Sequence, residues 1–600
     1  MSPKCPRISE TLIFAGNSGL AAQLSCLFAA PAVYVPIMDA PRLQRPDGRS
    51  EIVRRGNAAA RSRARRFIFA GLTDEECKGL ATMIPARRTV RIDGTEALEG
   101  FIAAAARNDL DTITWGRDRI GIGLLKAFRA KAYIRFEDSE SPRAPLPSKS
   151  DHLVVCEQGE ELSEVIAANY AYALGADLVL IPERSRDEAE QFLERFYSAN
   201  DPGVSTTRVL EELARELRGL AGDIPVPRGG SITFICRDHP YGFGFSEVPS
   251  THLFTYPDLG IAVIHGFAAE QPKARGVQVA TLVDPGTTDA QEIDAAVTSL
   301  SARGKFVRVY RGPLADVRSV NDMMELFPYD LLLIATHCGD SDGYRQTYEF
   351  TDSEGRHRTF VVDVALGIGR TDDRELLQVT EFQHFVSLDG VDWDDPHKEE
   401  KLYVGTAMLD YHRLIQGPNG LRPTKSEMVK RVRGSAAMKM FDNNLIALPR
   451  TLAAETTPII INNACVSWHR LAGDFMFGGA RAYVGTLVPV LPFEAQDIVT
   501  RVLGKHFGKP LAHAFWAAQR ESYGENGIRR PYVVTGAYSQ TLRGKIVDVP
   551  RHIVRQLEDG LRRWLVHPHK DAAKDDRHKK VFSDNVAYFE KELKWFRERW

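Results

Sequence analysis

Leu331-Leu-Leu-Ile-Ala-Thr-His337 and Pro458-Ile-Ile-Ile-Asn-Asn-Ala-Cys465 set the architecture of the chain. Each is a short, uninterrupted apolar run of the length of a buried strand, and each runs straight into a side chain of catalytic type. Upstream, Val277-Gln-Val-Ala-Thr-Leu-Val283 is a further apolar run closed by the turn signal Asp284-Pro285-Gly286. Ile293, Ala296, Val297 and Leu300 then recur at helical spacing, with Gly304 beyond them. Phe306-Val-Arg-Val-Tyr310 reads as the next strand, and Val317, Val320, Met324 and Phe327 as the face of the next helix. This β-α-β-α-β alternation predicts parallel strands joined by right-handed crossovers, with their C-terminal ends along one edge of the sheet. Sites in open α/β sheets form at that edge.

His337 and Cys465 are 128 residues apart in the chain. Neighbouring strands lie only about 4.8 Å apart, so the loops that carry them can meet. A free thiol, with a pKa of about 8.5, is a few per cent thiolate at neutral pH; a nearby imidazole raises that fraction and later protonates the leaving amine. Backbone amides at Cys465 and near Gly339 are candidates for oxyanion stabilisation. Taken singly, Cys465 reads as an inert buried cysteine and His337 as a loop histidine. Their matched placement at two strand ends favours a dyad.

Strand-then-His337, strand-then-Asn463-Ala464-Cys465 and the following Phe477-Gly-Gly-Ala-Arg-Ala-Tyr-Val-Gly-Thr-Leu-Val-Pro-Val490 together resemble the CHAT proteases, a caspase-like (clan CD) peptidase family. Leu511-Ala-His-Ala-Phe-Trp-Ala-Ala-Gln-Arg520 resembles the Ala-rich helix near the end of such domains, and Tyr532-Val-Val-Thr-Gly536 their last core strand. The resemblance spans residues 276–540. It implies a caspase-like, mostly parallel sheet flanked by helices, with His337 as general acid/base and Cys465 as nucleophile of an endopeptidase. It also implies a place in bacterial stress or phage defence. The chain departs from the family in carrying Cys338 between His337 and Gly339, and in the long interval between His337 and Cys465. Hairpin-like segments such as Tyr348–Val362 mark that interval as an insertion, a candidate substrate cleft or lid.

Asp284, after the first strand of this unit, and Asp474, beyond the cysteine, are candidates to receive a basic P1 side chain, although aspartates are common as turn and cap residues. Asn463 is a candidate to orient a peptide backbone, or it closes the turn. Gly339-Asp-Ser-Asp-Gly343 matches the G-x-S-x-G of serine hydrolases, with Ser341 as nucleophile. That elbow must lead into a helix, whereas Tyr344-Arg-Gln-Thr-Tyr-Glu-Phe350 alternates as a strand does.

The rest of the chain reads as a multidomain α/β protein. Residues 1–145 alternate strand-like runs (Thr11–Ala15, Ala32–Pro36, Arg66–Ala70, Thr89–Ile92, Thr112–Trp115, Ala132–Phe136) with Ala-rich helical stretches, and 138–150 has linker composition. Residues 146–270 form a second α/β or helical unit, 271–548 the peptidase-like unit and 549–600 two amphipathic helices around a charged segment. Gly16-Asn-Ser-Gly19 is a phosphate-loop candidate without a full nucleotide motif, and a tight turn is the plainer reading. The stripes Val554-Leu557-Leu561-Trp564 and Val586-Phe589-Leu593-Phe596 either dock on the chain's own core or offer a surface for self-association.

Net charge of -2 with 26% charged residues gives no sign of a nucleic-acid partner. The apolar stretch Leu20–Met38 is interrupted by Gln23, Ser25 and Pro31 and reads as helix and strand rather than membrane span. Seven scattered cysteines without a C-x-x-C pair point to a reducing, cytoplasmic compartment and to no metal; no cofactor is expected. The partners expected are a protein or peptide substrate and an activating partner or ligand. A catalytically silent interaction module is the rival class.

Overall fold

The computed structural model describes the chain except residues 1–3, 45–47, 105–109, 139, 143–149, 200–204, 256, 371–376, 394, 396, 417–419, 434, 447–450, 454–455, 546–547 and 567–575. Most of the linker expected at 138–150 and of the charged segment between the last helices lies outside the described residues.

Strands Thr11–Ala15 (β1), Ile37–Asp39 (β2), Arg66–Ala70 (β3) and Thr89–Ile92 (β4) form a parallel sheet in the order β2-β1-β3-β4. Within the expected Ala32–Pro36, Val33–Tyr34 forms a short parallel pair with Arg7–Ile8, and Ile37–Asp39 follows it as the strand of this sheet. Thr112–Gly116 (β5) and Tyr133–Glu137 (β6) make a separate parallel pair. At the first loop, the Asn17 side chain accepts from the Leu20 amide at 2.9 Å, an N-cap of the helix Ser18–Phe28.

The largest sheet has ten strands. His152–Glu157 (β7), Asp177–Ile181 (β8), Ser231–Cys236 (β9) and Ser250–Phe254 (β10) supply one part of it. Val279–Asp284 (β11), Phe306–Arg311 (β12), Leu331–Ile334 (β13), Ile459–Asn462 (β14), Ala482–Thr486 (β15) and Tyr532–Gly536 (β16) supply the other. The order is β8-β7-β9-β10-β16-β15-β14-β13-β11-β12, and every neighbouring pair is parallel except β15-β16. The second and third units of the chain thus share one sheet, joined where β10 meets β16 at His252 and Thr535. The winding order second-first-third-fourth appears three times: in the N-terminal sheet, in β7–β10 and in β11–β14.

Because strands buried on both sides alternate their side chains between faces, two apolar layers form. Leu331, Leu333, Ile459 and Ile461 join one layer, with the helices Pro492–Leu503 and Leu511–Tyr523. Leu332, Ile334 and Ile460 join the other, with Val317–Leu326 and the C-terminal helices. Val549–Val566 and Asp576–Arg599 pack on each other and on this second layer. Leu557, Phe589, Leu593 and Phe596 are buried there, and Val554, Leu561 and Trp564 pack half-buried against the same layer.

The interval between β13 and β14 holds a five-stranded antiparallel sheet of Val391–Asp392, Leu377–Leu388, His357–Arg370, Gly343–Thr351 and Lys425–Val429, in that order. It has its own small core around Phe360, Val362 and Tyr411. Among the described residues no helix is long and apolar enough to cross a membrane.

Candidate active site at the sheet edge

Register fixes the two candidate residues. β13 and β14 pair from Leu331 with Ile459 to Ile334 with Asn462, and the Asn463 amide donates to the Ile334 carbonyl at 2.8 Å. His337 and Cys465 each lie three residues beyond that last pair, at the same edge.

The turn that carries Cys465 is strained and tightly held. Val466 has φ of 48°, a left-handed conformation that β-branched residues rarely adopt and that persists only where surroundings impose it. The Ser467 hydroxyl donates to the Asn462 carbonyl at 2.8 Å and accepts from the Thr486 amide at 3.1 Å. The Thr486 hydroxyl donates to the Ala464 carbonyl at 2.8 Å, Tyr483 donates to the Ser467 carbonyl at 2.6 Å, and the Trp468 indole donates to Thr535 at 2.8 Å. Gly485 leaves room for this packing: a Cβ there would sit 2.8 Å from the Trp468 amide nitrogen.

Beneath the turn lies a buried polar centre. Asn463 donates through Nδ2 to Glu292 at 3.0 Å and accepts through Oδ1 from the Tyr532 hydroxyl. Its amide therefore faces the interior. Glu292, in the first turn of the helix Gln291–Ser301, is 3% exposed, and one carboxylate oxygen has no hydrogen-bond partner among the described residues. Burial pushes its carboxyl up to about 7, against the hydrogen bond from Asn463.

The thiol and the imidazole share an edge but not a contact. Cys465 is half-buried and its Sγ donates to the Val490 carbonyl at 3.6 Å. Burial raises its pKa, partly opposed by that hydrogen bond and by Arg529. His337 is exposed, its own carbonyl accepting from the Lys439 amide at 2.9 Å. No hydrogen bond joins the two side chains among the described residues, so the expected dyad is not assembled in this conformation. Cys338, directly after the histidine, packs on the layer opposite to the one that holds Cys465, and burial raises its thiol pKa.

Beyond His337 the chain is clasped by the helix Arg186–Ser198 of the preceding unit. Gly339 has φ of 155°, and a Cβ there would lie 2.7 Å from the Tyr197 hydroxyl. That hydroxyl accepts from the Asp340 amide at 3.0 Å, and Arg431 stacks 3.5 Å over the Tyr197 ring while bonding Asp340 and Glu194.

The other candidates are accounted for by local partners. Asp284 accepts from the Gly286 amide at 3.0 Å and from Arg311 at 2.9 Å. Asp474 is half-buried on the helix His469–Phe477, and burial pushes it up to about 6 against the pull of Arg470 and Arg186. Ser341 is buried, its hydroxyl has no hydrogen-bond partner among the described residues, and the chain after it runs into the strand Gly343–Thr351. The helix that a nucleophile elbow requires is absent there. Among the described residues no group of three or more His, Cys, Asp or Glu is placed to hold a metal ion. Glu292 and Tyr532 escaped the sequence reading, because an acidic residue in a first helical turn and a tyrosine in a strand are both ordinary there.

No protein-family model and no curated protein sequence matches the chain. Among solved structures, similar ones include the Arg-specific cysteine proteinase gingipain R, at 11% identity and a TM-score of 0.31, covering 67% of this chain and 80% of that one. Cwp6 from Clostridium difficile is similar at 10% identity and a TM-score of 0.23, covering 58% of this chain and 62% of that one.

Proposed function

We propose that the chain is a cysteine endopeptidase with Cys465 as nucleophile and His337 as general acid/base, held in a resting conformation. The observation that carries this reading is the equal offset of the two residues beyond one register pair, with the cysteine on a strained and heavily braced turn. In the working state the thiol leaves the Val490 carbonyl and its proton passes to His337. Sulfur then attacks the scissile carbonyl, the imidazolium protonates the departing amine, and water releases the acyl group. The amides of Cys465 and Gly339 are the candidate oxyanion donors. Asp284 would meet a basic P1 residue only by exchanging Arg311, and Asp474 only by giving up its arginine neighbours. Asn463 serves the turn in this reading rather than the substrate.

The clasp of Tyr197, Arg431 and Glu194 over the His337 loop supports a restraint imposed by the preceding unit and released by a partner or ligand. A second reading, a catalytically silent module, is favoured by one observation, the engagement of the thiol with Val490 instead of His337. Incubating wild type, Cys465→Ala and His337→Ala with a mixed peptide library, with and without cell extract, separates them by mass spectrometry. Cleavage by wild type alone is the expected result. Activity that survives in Cys465→Ala removes the nucleophile assignment, and silence of all three under every condition favours the scaffold.

A further inference from the structure

The nearly balanced charge of the whole chain conceals a local excess. Between Arg54 and Arg91 the sequence holds nine arginines and one lysine against three acidic residues. Some of these arginines are neutralised inside the protein. Arg55 is buried between Asp39 and Glu51, Arg54 bonds Asp258 at 3.0 Å, and Arg91 bonds Asp74 and Asp93. Others gather at one groove on the N-terminal unit.

That groove has a volume of about 540 Å³ and lies between the helix Gly48–Ser62 and the N-terminal ends of β3 and β4. Ala59 and Ala60 of the helix are small, the Met83 side chain packs on Gly56, where a Cβ would lie 2.8 Å from it, and Met83 and Pro85 give an apolar surface. Arg63, Arg65 and Arg88 line it, with exposed Arg66 and Arg87 next to them in the chain. Arg66 opens β3, and Arg88 closes the short 3-10 turn Ala86–Arg88 that leads into β4, the strand paired with β3 from Phe67 and Thr89 onward. Like charges so placed repel, which is a cost that an anion between them would remove. Among the described residues the acid paired with these five is Glu10, 3.7 Å from Arg65, with both side chains at least 70% exposed. Such an exposed pair is worth little. The side chains of Arg63, Arg66, Arg87 and Arg88 have no ion-pair or hydrogen-bond partner among the described residues.

We propose that this groove binds a single-stranded nucleic acid, its phosphates on Arg63, Arg65, Arg66, Arg87 and Arg88 and its bases or sugars against Met83 and Pro85. Guanidinium forks match phosphate oxygens, and a basic track beside an apolar platform is the arrangement that holds single strands without reading sequence. The volume falls within the range of about 300–1,000 Å³ typical of small-molecule sites, enough for a nucleotide or two of a strand and too little for a duplex. A concave groove does not lie flat on a bilayer, and the aspartate and glutamate side chains of an acidic peptide carry no ring for the apolar wall. The proposal does not depend on the peptidase reading, since the groove lies in another unit.

The test is fluorescence anisotropy of the full-length chain with labelled oligo-dT and oligo-U of about 20 nucleotides, from about 50 to about 200 mM salt. The comparison is a variant carrying Arg63→Ser, Arg65→Ser, Arg66→Ser, Arg87→Ser and Arg88→Ser, with circular dichroism and the thermal midpoint as folding controls. Arg66→Glu with Arg88→Glu serves if the fivefold variant misfolds. Wild type is expected to bind at least one oligonucleotide, with a log–log salt slope of about −3.5 for five contacts at about −0.7 each. The folded variant should lose at least about tenfold in affinity and most of that slope. The preferred oligonucleotide tells DNA from RNA. Absence of saturable binding at low salt, equal binding by the variant, or tighter binding of polyglutamate or phosphatidylserine vesicles would overturn the proposal.

Discussion

Replacing Glu292 by glutamine interrogates the buried centre under the Cys465 turn. The carboxyl is 3% exposed, receives one hydrogen bond from Asn463 and leaves one oxygen unpartnered among the described residues. Burial pushes it from an ordinary 4.5 up to about 7. A folded-state value above the unfolded one means that the native protein keeps a proton the unfolded chain has released. The contribution to stability is therefore complete below about pH 4.5, declines as pH rises toward about 7, and stays at its lower level above that. At about 1.4 kcal/mol per pH unit, the decline amounts to about 3 kcal/mol. Glutamine keeps an oxygen for Asn463 and carries no charge at any pH. Near pH 5 the variant and wild type should differ by less than about 1 kcal/mol from this source. Near pH 8 the variant should melt at the higher temperature. Differential scanning calorimetry across that range makes the comparison. A difference independent of pH, or a variant that melts earlier at alkaline pH, would refute the assignment of a strained, proton-holding carboxyl.

Gly485→Ala should lower the thermal midpoint, because its Cβ would press within 2.8 Å of the Trp468 backbone and the Tyr483 ring, an overpacking of about 1–3 kcal/mol. An unchanged midpoint would mean that the turn gives way freely. Phe596→Ala removes a fully buried ring that packs against Phe306 and Phe327, at about 3–5 kcal/mol. Limited proteolysis should then cut within Asp576–Arg599 faster than in wild type. Native alkylation with iodoacetamide, mapped by mass spectrometry, should leave Cys26, Cys156 and Cys236 untouched while half-buried Cys77 and Cys465 react. The reactivity of Cys465 should rise only above the pH range of a free thiol, as its burial demands; half-maximal reaction below about pH 8.5 would contradict the resting geometry.

The strands and helices from Val279 to Ile334 were legible because apolar periodicity is a local property, and their parallel order followed from crossover handedness. Strands at Ile459–Asn462, Ala482–Thr486 and Tyr532–Gly536 were legible in the same way. The fusion of residues 152–254 into the same sheet was not. It hangs on one pairing, His252 with Thr535, between positions whose local sequence says nothing about each other. The shared edge of His337 and Cys465 could be read from two strand ends, but the direction of the thiol could not, because a rotamer answers to neighbours such as Val490 rather than to the strand before it. The arginine groove was hidden by averaging, since a net charge of -2 sums over units that differ in sign.

The position of β16 between β10 and β15 bears on the order in which the protein is made. Strands β7 to β10 and β11 to β14 can each pair among themselves as they leave the ribosome, in the order of synthesis. The strand that unites them is encoded last of all the sheet. Tyr532 and Thr535, which hold Asn463 and Trp468, arrive on that strand. A nascent or truncated chain that ends before it has two unjoined half-sheets and an unbraced cysteine turn. Premature termination products should therefore lack the finished edge, and chains cut before Tyr532 should show accelerated exchange of the Ser467 and Trp468 amides. Completion of the sheet therefore sets when the Cys465 turn acquires its bracing, which waits until the last strand of the core has been translated.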